Sequence, residues 1–373
     1  MEEKMTMLDY VAASPACIRK NVADSVKLTQ PLVDEYINGG YRNIWVVASG
    51  SSSNGSWCAR QFVRKHLQCE MKVVTPFTFV NSENDFGPTD LVVTVSQSGY
   101  SLNALEAVEV IKEKGRRAIG LTGDLSSDMA KTCDVIADWG VGKETVGCVT
   151  KGVTTLALFF MLFALEAAQR KGLKTAEEVA AMKAQLTAAA DIHEAVQKTW
   201  PQFLEKHYQQ ICSMTNAYVC GVGAGYGVAL EAALKMGESI CVPTGAYEVE
   251  EYIHGWNLQL TPNYTVFLID GGVGTERIHQ IFEGTLIATP KAFLITNNPA
   301  YEGEDKVFYI PCALPEEMTP LCYLPVFQMM SCIITDDLHR WDRHPLMRKM
   351  SKAVSSKSPG YVNSPMSKAK RAE

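Results

Sequence analysis

Two stretches of this 373-residue chain carry hydroxyls in the arrangement that holds a phosphate. Ser96-Gln97-Ser98-Gly99 follows the apolar run Leu91-Val92-Val93-Thr94-Val95, and Ser49-Gly50-Ser51-Ser52-Ser53-Asn54-Gly55 follows Asn43-Ile44-Trp45-Val46-Val47-Ala48. Each reads as a buried strand, a Ser/Gly turn and then a helical pattern, so backbone N–H groups, hydroxyl donors and a positive helix end converge without need of a lysine. A single such turn is most often only a turn. Two of them at equivalent strand ends, on the edge where open α/β sheets bind ligands, make Ser51, Ser52, Ser96, Ser98 and Ser101 candidate phosphate donors, with Gln97 beside them.

A second constellation suits proton transfer. In Ala229-Leu230-Glu231-Ala232-Ala233-Leu234-Lys235-Met236-Gly237-Glu238 the spacings of four and three put Glu231, Lys235 and Glu238 on one helix face. Solvated Glu/Lys pairs are the commonest source of that pattern, but this helix begins at the turn Gly221-Val222-Gly223-Ala224-Gly225 and therefore beside a sheet's ligand edge. His254, in the loop-like Glu250-Glu251-Tyr252-Ile253-His254-Gly255-Trp256-Asn257, places an imidazole among carboxylates, a setting suited to proton transfer. His339 and His344 lie near Asp336, Asp337 and Asp342, yet no H-x-x-x-H or mixed His/Cys spacing supports a metal, so none is expected. Val141-Gly142-Lys143-Glu144 is not a P-loop and Gly221 to Tyr226 is not a dinucleotide fingerprint; no cofactor is expected.

The elements that must position these residues alternate along the chain. Strand-like runs 44–48, 73–75, 91–96, 118–122 and 135–138 are separated by helical stretches and followed by a long apolar helix over about 150–169, which predicts a parallel sheet wrapped by helices. The pattern recurs at 216–223, 265–270, 293–296 and 308–311, so the chain reads as internally duplicated. The repeat of Ser96-Gln97-Ser98-Gly99 is Asp270-Gly271-Gly272-Val273, without hydroxyls and with a carboxylate, which assigns the anion to the first half. A helical lead-in over 1–39, a first sheet domain over 40–172, a helical linker over 173–204, a second sheet domain over 205–350 and a loosely held tail over 351–373 complete the organisation.

Composition narrows the class. A formal net charge of -6 with no basic stripe argues against nucleic acid as partner. The apolar run Leu156–Leu165 is too short for a bilayer and no signal peptide is apparent, so no membrane partner is expected. Eleven cysteines without a C-x-x-C pair fit reduced thiols and a cytoplasmic location.

Taken together these motifs resemble the sugar isomerase (SIS) domain family, in particular the tandem isomerase half of glutamine:fructose-6-phosphate amidotransferases and its stand-alone relatives, from about residue 40 to 350. Ser49 to Asn54 resembles that family's first phosphate loop, Ser96 to Gly99 its second, and Glu144 with Thr150-Lys151 the turn before its long helix. Ala229 to Glu238 is similar to its catalytic helix, and Ala246-Tyr247 through His254-Gly255 to its histidine loop, sixteen residues separating Glu238 from His254. The resemblance implies an α/β fold of two tandem SIS-type doubly wound parallel-sheet domains, flavodoxin-like three-layer sandwiches. It implies that Glu238 moves a proton between sugar C1 and C2, that His254 opens the ring from across a homodimer interface, that Lys235 belongs to the site and that Lys352 matches a C-terminal lysine reaching the sugar. The expected partner is a 6-phosphorylated sugar or sugar-amine.

The chain departs from the amidotransferases: no glutaminase domain precedes the tandem, no nucleophilic cysteine follows Met1, and Trp256-Asn257 stands where those enzymes have proline. The expectation is therefore an amine-releasing enzyme, first a deglycase hydrolysing a fructoselysine or glucoselysine 6-phosphate, then a glucosamine-6-phosphate deaminase, then an aldose–ketose isomerase. A non-catalytic sugar-phosphate-binding regulator is the remaining alternative.

Overall fold

The computed structural model describes residues 5–364 and 367–368. Helices α1 (Met7–Ala23) and α2 (Ser25–Asn38) form the lead-in; Thr6 and Asp9 close a capping box at the start of α1, and the chain breaks at Asp24 rather than running on as one helix. The first sheet follows as β1 (Asn43–Ala48), α3 (Ser51–Leu67), β2 (Met71–Val74), α4 (Pro76–Asn81), β3 (Asp90–Ser96), α5 (Leu102–Glu113), β4 (Ile119–Thr122), α6 (Asp128–Thr132), β5 (Val135–Asp138) and α7 (Lys151–Arg170). Helices α8 (Ala176–Lys206) and α9 (Tyr208–Cys212) lead to the second sheet: β6 (Asn216–Gly221), α10 (Ala224–Lys235), β7 (Thr244–Glu248), α11 (Val249–Ile253), β8 (Tyr264–Asp270), α12 (Thr275–Ala288), β9 (Ala292–Thr296), β10 (Val307–Tyr309) and α13 (Pro320–Asp337). Helix α14 (Pro345–Ala353) follows.

Both sheets are five-stranded, parallel and identical in topology: β2-β1-β3-β4-β5 and, read from the other edge, β7-β6-β8-β9-β10. This is the flavodoxin-like order, whose switch point lies between the first and third strands of each sheet. The duplication thus holds strand for strand, and β3 ending at Ser96 is matched by β8 ending at Asp270. Strand β7 stands where the sequence reads only a loop. It is an edge strand, half-exposed along its length and without the apolar run that marks β1 or β3.

One core joins the halves. Helix α7 is buried from Lys151 to Ala168 and packs on α3, α2 and α1. It is longer than the apolar run Leu156–Leu165: at 20 residues it has the length and composition to cross a bilayer, but its apolar surface is already covered by protein. Its fully buried Phe159, Phe160 and Phe163 each contribute roughly 1.5–3 kcal/mol of hydrophobic stabilisation. Helices α3 and α10, one from each half, cross in close contact because Gly227 lacks a side chain; a Cβ there would sit 2.4 Å from the backbone nitrogen of Cys58. That approach brings the chemistry of α10 to the turn that opens α3.

Candidate active site

Gly50 caps α3 at φ 58°, a left-handed conformation that glycine adopts without strain, so Ser51 and Ser52 occupy the first turn with its outward N–H groups. Across the switch point, Ser101 stands at the N-cap of α5, and the turn from Ser96 is closed by Gly99 N–H donating to the Ser96 carbonyl at 2.9 Å. Between the two helix ends lies a pocket of about 190 Å³ lined by Ser51, Ser52, Ser96, Gln97, Ser98 and Ser101, the full set of hydroxyl candidates and Gln97. Two N-termini and their hydroxyls aimed at one space are an arrangement that can accept an anion.

Gln97 is fixed from behind. Its amide donates to Glu144 Oε2 at 2.7 Å, and the same carboxylate accepts from the backbone N–H of Thr150, Lys151 and Gly152 at 2.7, 2.9 and 2.8 Å. Glu144 therefore caps α7 and orients the pocket glutamine at once.

The tail is not loose at this point. Lys357 pairs with Ser101 as an antiparallel bridge, and its ammonium donates to Ser98 Oγ at 2.9 Å and Ser101 Oγ at 3.2 Å. Ser358 N–H donates to the Tyr100 carbonyl and its hydroxyl to Asp128 at 2.7 Å, while Tyr361 completes the pocket wall. Lys352 does not line the pocket: it lies on exposed α14, and the chain must turn after Ala353 before a lysine can reach the serines. Lys357 takes the place expected of Lys352. Two lysines five residues apart in a polar tail are indistinguishable in sequence; the bridge to Ser101 separates them.

The second constellation forms as the helix spacing predicts. Ser51 Oγ donates to Glu231 Oε1 at 2.9 Å, Asn54 donates to its Oε2 at 2.8 Å, and the Lys235 ammonium lies 3.2 Å from both Ser51 Oγ and Glu231 Oε1. Lys235 also pairs with Glu238. Burial acts to lower the pKa of Lys235, but the carboxylates of Glu231 and Glu238 outweigh it and hold the ammonium charged; burial pushes the Glu231 carboxyl up. Beyond Lys235 the helix widens into a π turn, Met236–Ile240, a distortion frequent at functional sites. Arg343 donates to the Glu238 carbonyl and Arg340 to the Ile240 carbonyl, holding this turn, and the Glu238 side chain is left 32 % exposed beside fully buried Lys235.

His254 is not brought to this cluster within one chain. It follows α11, which Glu248 caps by accepting from Glu250 and Glu251 N–H, and it stands exposed near Glu250. Trp256 stacks on Tyr247 at 4.6 Å and is absent from the pocket lining. Nor do His339 and His344 gather their aspartates: Asp336 accepts from Trp341, Asp337 accepts from Tyr208, and His344 caps Leu346 N–H.

The second half carries the same turn with its anion end filled. Gly223 repeats Gly50 at φ 58°, and the Glu316 carboxylate accepts from Ala224 N–H at 2.6 Å at the start of α10. Asp270 is consumed by its own turn, accepting from Gly272 N–H, Thr275 and Thr296.

The SIS domain family model matches residues 42–165, the stretch from β1 into α7 that builds the pocket. This stretch is a SIS domain. A glutamine–fructose-6-phosphate aminotransferase (isomerizing) of Caldanaerobacter subterraneus subsp. tengcongensis is 26% identical over 352 residues, 87% of this chain, and the chain spans about half (55%) of that relative's length. Among solved structures, a Clostridium difficile 630 protein provisionally assigned as a phosphosugar isomerase superposes with a TM-score of 0.86 at 23% identity, covering 95% of this chain and 99% of that one. A glucosamine-6-phosphate deaminase of Thermotoga maritima superposes with a TM-score of 0.66 at 18% identity, covering 89% and 94%. These superpositions extend over both sheets, so the two-sheet fold as a whole is shared with those structures.

Proposed function

We propose that the chain is an amine-releasing phosphosugar enzyme, a deglycase that hydrolyses a 6-phosphorylated sugar-amine of the fructoselysine or glucoselysine type to hexose 6-phosphate and free amine. The observation that carries this reading is the junction at Ser51, a residue that lines the anion pocket and bonds Glu231 and Lys235, which in turn orients Glu238. A phosphate held by the serines and Lys357 would leave the reacting carbons of the same sugar to Glu238. In that pose, for the C1 amine of fructoselysine 6-phosphate, Glu238 takes the proton from C1, returns it at C2, and water adds to the resulting C1 imine. For the C2 amine of glucoselysine 6-phosphate the proton moves from C2 to C1 and water adds to the C2 imine, and in both the C–N bond breaks. Such a placed carboxylate typically accelerates proton transfer by about 10²–10⁴-fold. The partial exposure of Glu238 leaves its carboxylate open to a substrate.

Glucosamine 6-phosphate deamination is the second reading, favoured by the fold shared with the Thermotoga maritima deaminase. It uses the same groups with the proton moving from C2 to C1 and the imine at C2. In either case His254 would enter from a second copy of the chain, which its exposure and the exposed Trp256 and Leu258 around it support. The eleven free cysteines fit a reducing, cytoplasmic setting.

The test is to incubate the purified chain with fructoselysine 6-phosphate and with glucosamine 6-phosphate, following lysine, ammonia and hexose 6-phosphate. Lysine release supports the deglycase, ammonia release the deaminase, and tight binding without either product returns the reading to a regulator. A chain that turns over while sedimenting as a monomer removes the second copy from the account.

A further inference from the structure

In the second domain, the first turns of α12 and the connection that enters β10 bring three metal-ligating side chains together. His279 and Glu283 are four residues apart on one face of α12, and Glu304 reaches them from the connection. His279 Nε2 lies 3.1 Å from Glu304 Oε2, and the ligand atoms of all three residues fall within 4.8 Å of one another. Among the described residues this is the one such group of three.

The imidazole is held in place by a ring contact. It stacks on Tyr301 with ring centroids 3.8 Å apart and planes 11° from parallel, which fixes the direction of Nε2. A metal-ligating histidine needs that kind of outer support to keep its ring oriented. Two carboxylates sharing so small a space repel each other, and among the described residues no lysine or arginine pairs with Glu283 or Glu304.

We propose that His279, Glu283 and Glu304 form a divalent-cation site, of the one-nitrogen, two-carboxylate type that takes zinc with its remaining position open to water. Bound there, the ion ties α12 to the β9–β10 connection and neutralises the paired glutamates. It lies apart from the serine pocket and takes no part in the sugar chemistry; it is a clip on the second domain.

Cobalt(II) is the direct probe, because its spectrum separates nitrogen and oxygen ligands from the thiolates of eleven free cysteines. The full chain, stripped with chelator, is expected to bind one equivalent with visible d–d bands and no near-ultraviolet sulfur band, and zinc is expected to displace it. His279→Ala, Glu283→Gln and Glu304→Gln should each weaken binding by roughly tenfold or more, with the metal-free thermal midpoint unchanged for the two glutamine variants. Unaltered binding in those variants, a thiolate band, or no saturable binding overturns the proposal. The glutamine variants keep the test decisive if His279→Ala does not fold.

Discussion

Lys357 adds a full positive charge to a pocket otherwise built from hydroxyls and helix ends, through its bonds to Ser98 and Ser101. A charged hydrogen bond to a phosphate is worth about 1.5–3 kcal/mol, so Lys357→Ala is expected to weaken sugar-phosphate binding roughly 10–100-fold, whereas Lys352→Ala leaves it unchanged. Calorimetric titration with hexose 6-phosphate checks this, and an equal loss in the two variants would contradict it. The serines, Gln97 and the Glu231, Lys235, Glu238 face were legible in sequence because local spacing fixes them: a turn ends a strand, and helical periodicity aligns charges. Lys357 was not, since its place depends on a reversal after α14 and a bridge to a residue more than 250 positions away. His254 stood out by residue type, but that it stays exposed and outside the Glu231, Lys235 and Glu238 contacts is a tertiary fact that no local pattern holds.

Helices differ in how far their sequences announce their surroundings. The apolar pattern of α7 predicts its burial, and the Thr175 capping box predicts the start of α8. Helix α8 nonetheless hides an exception: His193 is fully buried, with neither ring nitrogen partnered among the described residues. Burial drives its pKa down to about 4. Between its unfolded value near 6.5 and that folded value the unfolded chain binds a proton that the folded chain refuses, so stability falls as pH drops through this window, by about 3 kcal/mol in all. His193→Leu should remove that part of the acid sensitivity. Urea unfolding at pH 7 and pH 4.5 measures it, and an unchanged pH difference in the variant would count against the assignment. Strand β7 shows the opposite limit: its residues carry no strand pattern, and only pairing with β6 makes it one.

At the scale of the whole molecule, one topology occurs twice and only one copy keeps an open anion end. Duplication was legible because the two strand series share register in the sequence. The division of labour was legible in part, from Asp270 standing opposite Ser96, while the filling of the second anion end by Glu316 required the fold. The copies meet where α3 and α10 cross at Gly227, and this contact sets the serine turn of the first domain against the Glu231, Lys235 and Glu238 face of the second, the pair to which the proposed function gives phosphate binding and proton transfer. Binding and proton transfer should therefore be separable. The most direct measurement is made on Glu238→Gln in deuterated water, recording sugar-phosphate affinity together with exchange of the substrate's C1 and C2 protons. The account predicts unchanged affinity and an exchange rate lower by about 10²–10⁴-fold; exchange at the wild-type rate would contradict it.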